Sequence, residues 1–392
     1  MASAIKLVAV GDITLSQKPG DKLFRTLWDS ADVRIGNLES PLVDTPGAPA
    51  DKEFRLQQSI EAGEWLKLLN PTVVSIANNH TMDWGPEGLY QTCDELNRIN
   101  VKYSGGGRNV DEAIKPVYFE AENYKIAFLS WATTLAPGFQ ALENRPGIAG
   151  VRVQTFYEIQ PSLDAEQPGT PPYIKTQPRE EDLLLLEKTI KQAHQEADFV
   201  ILALHWGVPP QWCVPYQGFI AEYQPIIAQR AADAGVDIII GHHAHAPYGM
   251  ESFSCKDDKG NHKEVPVLYS LGNYISHYEY SRVGLDMSSC TMPHFPPSLP
   301  ENRQSCLAEI QLTSSDGRLK VDRLKIQPAV INKMGEAIET TAEESLAIAN
   351  RLNEFSNQRG TSTYIEDTNV VWEQSKEILL KRNASNLETT VQ

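Results

Sequence analysis

The stretch Val236–His245, VDIIIGHHAH, decides how the rest of the chain reads. Its first half, Val236–Ile240, is a short run of mainly β-branched apolar residues, the composition of a strand buried on both faces. Gly241 is expected to end that strand, and His242, His243 and His245 follow within four positions. In open α/β sheets, ligands bind outside the carboxyl ends of the strands, which is where these imidazoles fall. His243 and His245 are two residues apart, so an extended segment would point both to one side. Neutral imidazole is the commonest metal ligand, and one such pair supplies half of a typical site. A single histidine here would read as a loop residue capping backbone groups. Three behind a buried strand read as a metal site.

The same arrangement recurs along the chain. Ile5–Val10 reads as a first buried strand stopped by Gly11-Asp12, and Val33–Gly36 leads through Asn37 and Leu38 to Glu39. Thr72–Ile76 runs into Asn78, Asn79 and His80, followed by Thr81, Met82, Asp83 and Trp84 and then a helix to about Ile99. Pro86 suits that helix start, because its missing N–H would be unpaired there. Asn78 and Asn79 alone would suit a tight turn; His80 beside them, at the same edge, points to a site. Phe199–Leu204 is another buried strand with His205-Trp206-Gly207 at its end, and Tyr269–Asn273 closes a strand with a turn placed to support the histidine loop. A parallel sheet gathers Asp12, Glu39, Asn79, His80, His205, His243 and His245 into one crevice. Hard oxygen ligands mixed with imidazoles suit Mn²⁺, Fe or Zn²⁺ better than Ca²⁺ alone. Two ions bridged by a carboxylate would generate hydroxide at neutral pH and clamp an attacked phosphoryl or acyl group.

Composition narrows the function classes. Of 392 residues, 41% are apolar and 22% charged, ordinary values for a soluble globular protein. The net charge is −16, from 35 Lys+Arg against 51 Asp+Glu, which argues against nucleic acid and anionic membranes as partners. An anionic substrate would need local positive charge, such as metal ions. Five cysteines without a CxxC pair fit unpaired thiols in a reducing compartment. The first residues, MASAIKLVAVGD, lack the regions of a signal peptide, and the longest apolar run, Phe199–Leu204, is far short of a membrane span. A cytoplasmic protein is expected.

Helices are expected at Ile60–Leu69, Glu180–Glu196 and Glu222–Ala234, and hairpins at Val117–Phe119 with Lys125–Trp131 and Cys306–Leu312 with Leu319–Ile326. Gly249–Phe253 and Val265–Ser270 read as strands, and Gly105–Gly107 as a loop. Residues 137–178 read as a long insertion able to fold over the site, its Arg145 and Arg152 candidates to touch an anion but more simply read as solvated. A second insertion, 274–304, carries His277, Tyr278, Tyr280 and His294. One domain is expected over 1–330, then an acidic helical extension over 331–392.

The motifs GDIT, GNLES, SIANNHTMDWG, HWG, GHHAH and YSLGN, in that order from about Lys6 to Ile275, resemble the CapA/PgsA family of capsule and poly-γ-glutamate synthesis proteins. That family falls in the calcineurin-like metallophosphoesterase superfamily. The resemblance implies an α/β fold, a four-layer α/β/β/α sandwich with metal-site loops on one edge, to which the sequence adds the two long loop insertions and the C-terminal helical tail. It implies one or two divalent metal ions, with Asp12 and His245 as ligands of the first, Glu39 in the bridging position, and Asn79, His205 and His243 as ligands of the second. His80 resembles the histidine that donates to the substrate, with Asp83 standing in for the carboxylate that usually follows it. Asn78, His242, Asn273 and Arg55 are supporting or substrate-facing residues. The chain departs from the superfamily pattern at Thr14, where the first motif has a histidine, at Thr81, and at Asn78 in place of glycine.

Three readings follow. The first is a metal-dependent hydrolase of a phosphoester or a γ-glutamyl or peptide-like amide, linked to capsule or poly-γ-glutamate metabolism. The second is a peptide-modifying isomerase or epimerase on the same scaffold, and the third a non-catalytic partner in polymer synthesis. The expected partner is an anionic or peptide-like substrate.

Overall fold

Two β-sheets stacked face to face carry the molecule. The computed structural model describes residues 5–52, 54–213, 218–277, 303–315, 317–378 and 380–381. The larger sheet has the order Tyr364–Glu366, Asn369–Glu373, Arg318–Ile331, Gln304–Ser315, Ile5–Thr14, Val33–Leu38, Val73–Ser75, Lys102–Ser104, with Asn273–Ser276 paired in parallel to the Ile5–Thr14 strand. The smaller sheet has the order Met250–Lys256, His262–Leu268, Ile238–His242, Phe199–His205, Tyr124–Ala132, Val117–Ala121.

Strand alternation sorts the apolar residues into layers. Leu7, Ala9, Ile35 and Val73 of the larger sheet pack against Phe128, Ile201, Ala203 and Ile240 of the smaller, forming an inter-sheet core. Val8, Val10, Ile13 and Val74 turn the other way, onto the helices Ala62–Leu69 and Gly85–Arg98. Leu202, Leu204 and Ile239 likewise meet the helices Glu180–Glu196 and Tyr223–Ala234. The result is an α/β/β/α sandwich, each sheet burying both faces.

Two glycines behave differently from the sequence expectation. The first strand runs through Gly11-Asp12 to Thr14, with register shifts on both sides of Asp12 in place of an ending. Gly241 does not end its strand either: pairing with Phe199–His205 continues to His242. A Cβ at Gly241 would lie 2.1 Å from the Tyr269 carbonyl oxygen and 2.6 Å from Trp206 Nε1. Glycine is therefore required by close packing, and the turn comes two residues later.

The 137–178 insertion carries regular structure. Gly147–Ile148 pairs with Gly106–Gly107, so two of the three glycines form a short strand in place of a plain loop. Val153–Glu158 pairs with Tyr173–Pro178, and this hairpin is tied to Glu222 through Lys175 Nζ at 3.1 Å. Arg152 clamps Asp182 at 2.8 Å and so is not merely solvated, whereas Arg145 is exposed and gives one N–H to the Gln140 carbonyl at 3.0 Å. Of the 274–304 insertion, His277 is buried against Glu336, while Tyr278, Tyr280 and His294 lie outside the described residues. The Ala342–Gln358 helix opens with a Thr341/Glu344 capping box and is followed by two strands that extend the larger sheet. Among the described residues, Cys93, Cys213, Cys255 and Cys306 form no disulfide. Among the described residues, no helix is long and apolar enough to cross a membrane.

Candidate metal centre

The alternation that builds the inter-sheet core also aims the site. His205 shares parity with Phe199, Ile201 and Ala203, and Asn37 with Val33 and Ile35, so both side chains enter the space between the sheets at the carboxyl ends of parallel strands. The register shift at Asp12 keeps Ile13 on the helix side and turns Asp12 toward the same space. One edge thereby collects groups from strands far apart in sequence.

Asp12, Glu39 and His245 each offer a ligand atom, and these atoms lie within 4.8 Å of one another. His245 Nδ1 is 3.4 Å from Asp12 Oδ2, and its Nε2 is 3.4 Å from Glu39 Oε1. Asn273 Oδ1, 2.8 Å from His245 Nδ1, orients the ring, so the turn after Tyr269 does touch the histidine loop. Beside this trio, His205 Nε2 lies 2.7 Å from Asn79 Oδ1 and 3.1 Å from His243 Nδ1. All six residues proposed from the sequence as ligands thus meet in two adjoining groups.

The histidine loop reaches this geometry by a different route from the one expected. His243 has φ 93° and His245 φ 55°, so the segment is a left-handed turn and not an extended strand. Positive φ at a residue with a Cβ costs on the order of 1–3 kcal/mol and persists only where the surroundings impose it. The His243 backbone N–H is held by Asp12 Oδ2 at 3.2 Å. His242 points elsewhere: its Nε2 meets the Val10 carbonyl at 3.2 Å, joining the two sheets.

His80 stands at the edge of the cluster. Its Nδ1 lies 2.6 Å from Asp83 Oδ2, which also accepts from the Leu56 N–H at 2.6 Å. Asn78 fastens the loop: its Oδ1 accepts from the N–H groups of His80 and Thr81 at 3.0 Å, and its Nδ2 donates to the Leu38 carbonyl at 2.8 Å. Arg55 braces the preceding loop through the carbonyls of Ala50 at 3.0 Å and Lys52 at 2.6 Å.

Two residues at the site escaped the sequence reading. Asn37 donates to Asp12 Oδ1 at 2.8 Å and approaches His205 Nδ1 at 3.4 Å. It sits inside the GNLES motif at the parity of Ile35, and that parity was a usable signal. Lys52 donates to Asp83 Oδ1 at 2.7 Å and to the Asn79 carbonyl, with Nζ 5.5 Å from the Phe139 ring centre. Lys52 follows no strand, and nothing in its local sequence marks it.

The electrostatics are those of a cation site. Burial, and then the neighbouring Glu39 carboxylate, push the Asp12 carboxyl up to about 6. Burial and then the surrounding imidazoles hold His205 and His243 well below the usual histidine value, which keeps them neutral. Burial acts to lower His245 too, but Glu39 and Asp12 outweigh it and hold the ring above its usual value. Two buried carboxylates gathered around His245, beside the neutral rings of His205 and His243 and the Asn79 amide oxygen, form a donor set suited to a divalent cation. The residues fit such an ion.

A family model described as "Bacterial capsule synthesis protein PGA_cap" matches residues 6–278. The PGA biosynthesis protein CapA of Bacillus subtilis is 28% identical over 286 residues, covering 70% of this chain and 63% of that relative. The capsule biosynthesis protein CapA of Bacillus anthracis is 26% identical over 256 residues, covering 64% of this chain and 52% of its own length. The chain therefore spans less than two thirds of either relative. Among solved structures, the calcineurin-like phosphoesterase YfkN from Bacillus subtilis aligns over 92% of this chain and 98% of its own at 12% identity and a TM-score of 0.41. The family match takes in Asp12, Glu39, Asn79, His80, His205, His243 and His245 together, the full set of strand-end groups that meet at this edge; the chain belongs to the bacterial capsule synthesis protein PGA_cap family.

Proposed function

We propose that this protein is a metal-dependent hydrolase in capsule or poly-γ-glutamate metabolism, acting on a phosphoester or on a γ-glutamyl or peptide-like amide. The observation that carries the reading is the gathering of Asp12, Glu39 and His245 within 4.8 Å, next to Asn79, His205 and His243. Asp12 and His245 would hold one ion, Asn79, His205 and His243 a second, and Glu39 would bridge. Bound there, Mn, Fe or Zn would supply a nucleophile from water at neutral pH and draw charge from the attacked group. His80 has the role of proton carrier: with its Nδ1–H donated to Asp83, its Nε2 is the atom able to accept a proton from water and pass it on to the leaving group. Burial keeps that ring below the usual histidine value. An expected partner is a substrate with anionic or peptide-like character; nucleic acid is not expected, given the net charge of −16.

The test is metal analysis of untagged protein, then hydrolysis of bis-p-nitrophenyl phosphate and of poly-γ-glutamate after reconstitution with Mn, Fe or Zn. One or two equivalents of bound metal with metal-dependent turnover on either substrate supports the reading. Less than about half an equivalent, with no gain on reconstitution, overturns it. One observation favours a second reading, a non-catalytic partner in polymer synthesis. Thr14 is buried two residues beyond Asp12, and its hydroxyl has no hydrogen-bond partner among the described residues, so the first ion gains no imidazole from that position. Intact biological function after His80→Ala and His205→Ala would decide for it.

A further inference from the structure

Lys52 is a cation built into the wall of the candidate metal centre, its side chain only 15% exposed. An ammonium carries three donors. One goes to Asp83 Oδ1 at 2.7 Å and one to the Asn79 carbonyl oxygen. The third has His80 Nδ1 near it at 3.2 Å, but that nitrogen is already engaged as a donor to Asp83 Oδ2 at 2.6 Å and cannot accept. Lys52 therefore keeps one N–H without an acceptor among the described residues.

Arg55 repeats the pattern three residues on. It spends Nη1 on the carbonyls of Ala50 and Lys52, and its Nε and Nη2 have no acceptor among the described residues. Its charge bears on the Lys52 ammonium, as do the carboxylates of Asp83 and Glu39. A role confined to neutralising Asp83 and pinning the Asn79 loop explains the two satisfied bonds of Lys52. It does not explain a second cation anchored on the Lys52 carbonyl oxygen with donors unspent. Like charges that feel one another are costly, and a bound anion relieves the cost.

We propose that Lys52 and Arg55 form an oxyanion-binding subsite beside the candidate metal centre, which takes a carboxylate or phosphoryl group carried by the substrate. The word substrate rests on the hydrolase reading above; the binding of an oxyanion does not. In a chain of net charge −16, such a pair supplies the local positive charge that an anionic substrate needs at this edge.

The experiment is calorimetric titration of the full chain with inorganic phosphate and with N-acetyl-L-glutamate, in chelator-treated protein and again with Mn²⁺ added. The chelated protein is expected to bind at least one of the two probes at one equivalent. Lys52→Met and Arg55→Met should each weaken that binding at least about tenfold, the loss of a charge-assisted hydrogen bond, while Lys52→Arg stays within about threefold. Preference for phosphate assigns the subsite to a phosphoryl group, and preference for N-acetylglutamate to a carboxylate. Arg55→Met leaves the Lys52–Asp83 pair whole, so it decides the matter if Lys52→Met does not fold. Failure of the wild type to bind either probe, or binding by both Met variants as tight as the wild type's, overturns the proposal. Anion uptake by a protein that takes up no metal would sink the hydrolase reading and leave the subsite standing.

Discussion

His80 Nδ1 lies 2.6 Å from Asp83 Oδ2, three residues along the same loop, and the carboxylate is fully buried with Lys52 Nζ 2.7 Å from its other oxygen. The pair sets the tautomer: a ring that donates from Nδ1 presents Nε2 for chemistry. His80→Ala should therefore leave metal content nearly unchanged and lower turnover about 10²–10⁴-fold, the usual contribution of a positioned general acid–base group. Metal stoichiometry and turnover on the same preparation check this. Loss of metal together with activity would remove His80 from the role given to it.

Asp83→Asn separates orientation from folding. The substitution leaves the Lys52 ammonium buried beside a neutral amide, and breaking a buried pair from one side costs about 3 kcal/mol or more. Thermal unfolding of Asp83→Asn should show that loss, and of Asp83→Asn/Lys52→Met a smaller one, because the double change removes both charges. Equal melting temperatures for the two would mean that the pair is not coupled.

Ion removal should be read out by stability as well as by chemistry. A ligand present at 100 times its Kd stabilises the folded state by about 2.7 kcal/mol. Chelation should thus lower the melting temperature of the wild type. His205→Ala and His243→Ala should lose one ion, and Asp12→Asn and His245→Ala the other. Variants that keep two equivalents of bound metal would dissolve the ligand assignment.

The pH dependence has an unusual sign for a carboxylate. Asp12 sits near pKa 6 in the metal-free fold, above its value of 3.8 in the unfolded chain, because of burial first and Glu39 second. The folded state then binds the proton more tightly, so stability is full below pH 4 and falls as pH rises toward 6. The span of about two units corresponds to roughly 3 kcal/mol. Metal-free protein should lose stability between pH 4 and 6, Asp12→Asn should flatten that slope, and ion affinity should weaken below pH 6 as the proton competes. Denaturant unfolding at a series of pH values gives the slope directly.

The fold was legible where local signals agree with tertiary placement. Buried β-branched runs such as Phe199–Leu204 and the periodic Glu180–Glu196 helix stand where the sequence puts them, because burial on both faces leaves no other composition workable. The candidate site was legible because its residues follow strand ends, although they come from the facing edges of two sheets and not, as expected, from a single parallel one. What stayed hidden depends on contacts between distant segments. Gly241 reads as a turn residue, yet it is small because Tyr269 and Trp206 press on it. Lys52 looks like a surface lysine until the 78–83 loop closes around it. The strands Tyr364–Glu366 and Asn369–Glu373 are short pieces in an acidic region that pair with each other, and Asn369–Glu373 joins the sheet only through Arg318–Ile331, far earlier in the chain.

Asn37 offers the sharpest separation of holding a metal ligand from being one. Its Nδ2 donates to Asp12 Oδ1 at 2.8 Å, and its Oδ1 accepts from Asn78 Nδ2 at 3.3 Å, so it links the first candidate ligand to the loop that carries Asn79 and His80. It is fully buried, and the amide has no competing solvent bond. Partners that orient a ligand from behind typically cost 10–100-fold in metal affinity when lost. Asn37→Ala should weaken ion binding by about that factor while the stoichiometry at saturating metal stays that of the wild type. Asp12→Asn, by contrast, should lower the stoichiometry itself. Calorimetric titration with Mn²⁺ distinguishes the two, since one moves the midpoint and the other the end point. A wild-type affinity in Asn37→Ala would mean that Asp12 is held well enough by the protein backbone and by His245, and that Asn37 only fills the space between the sheets.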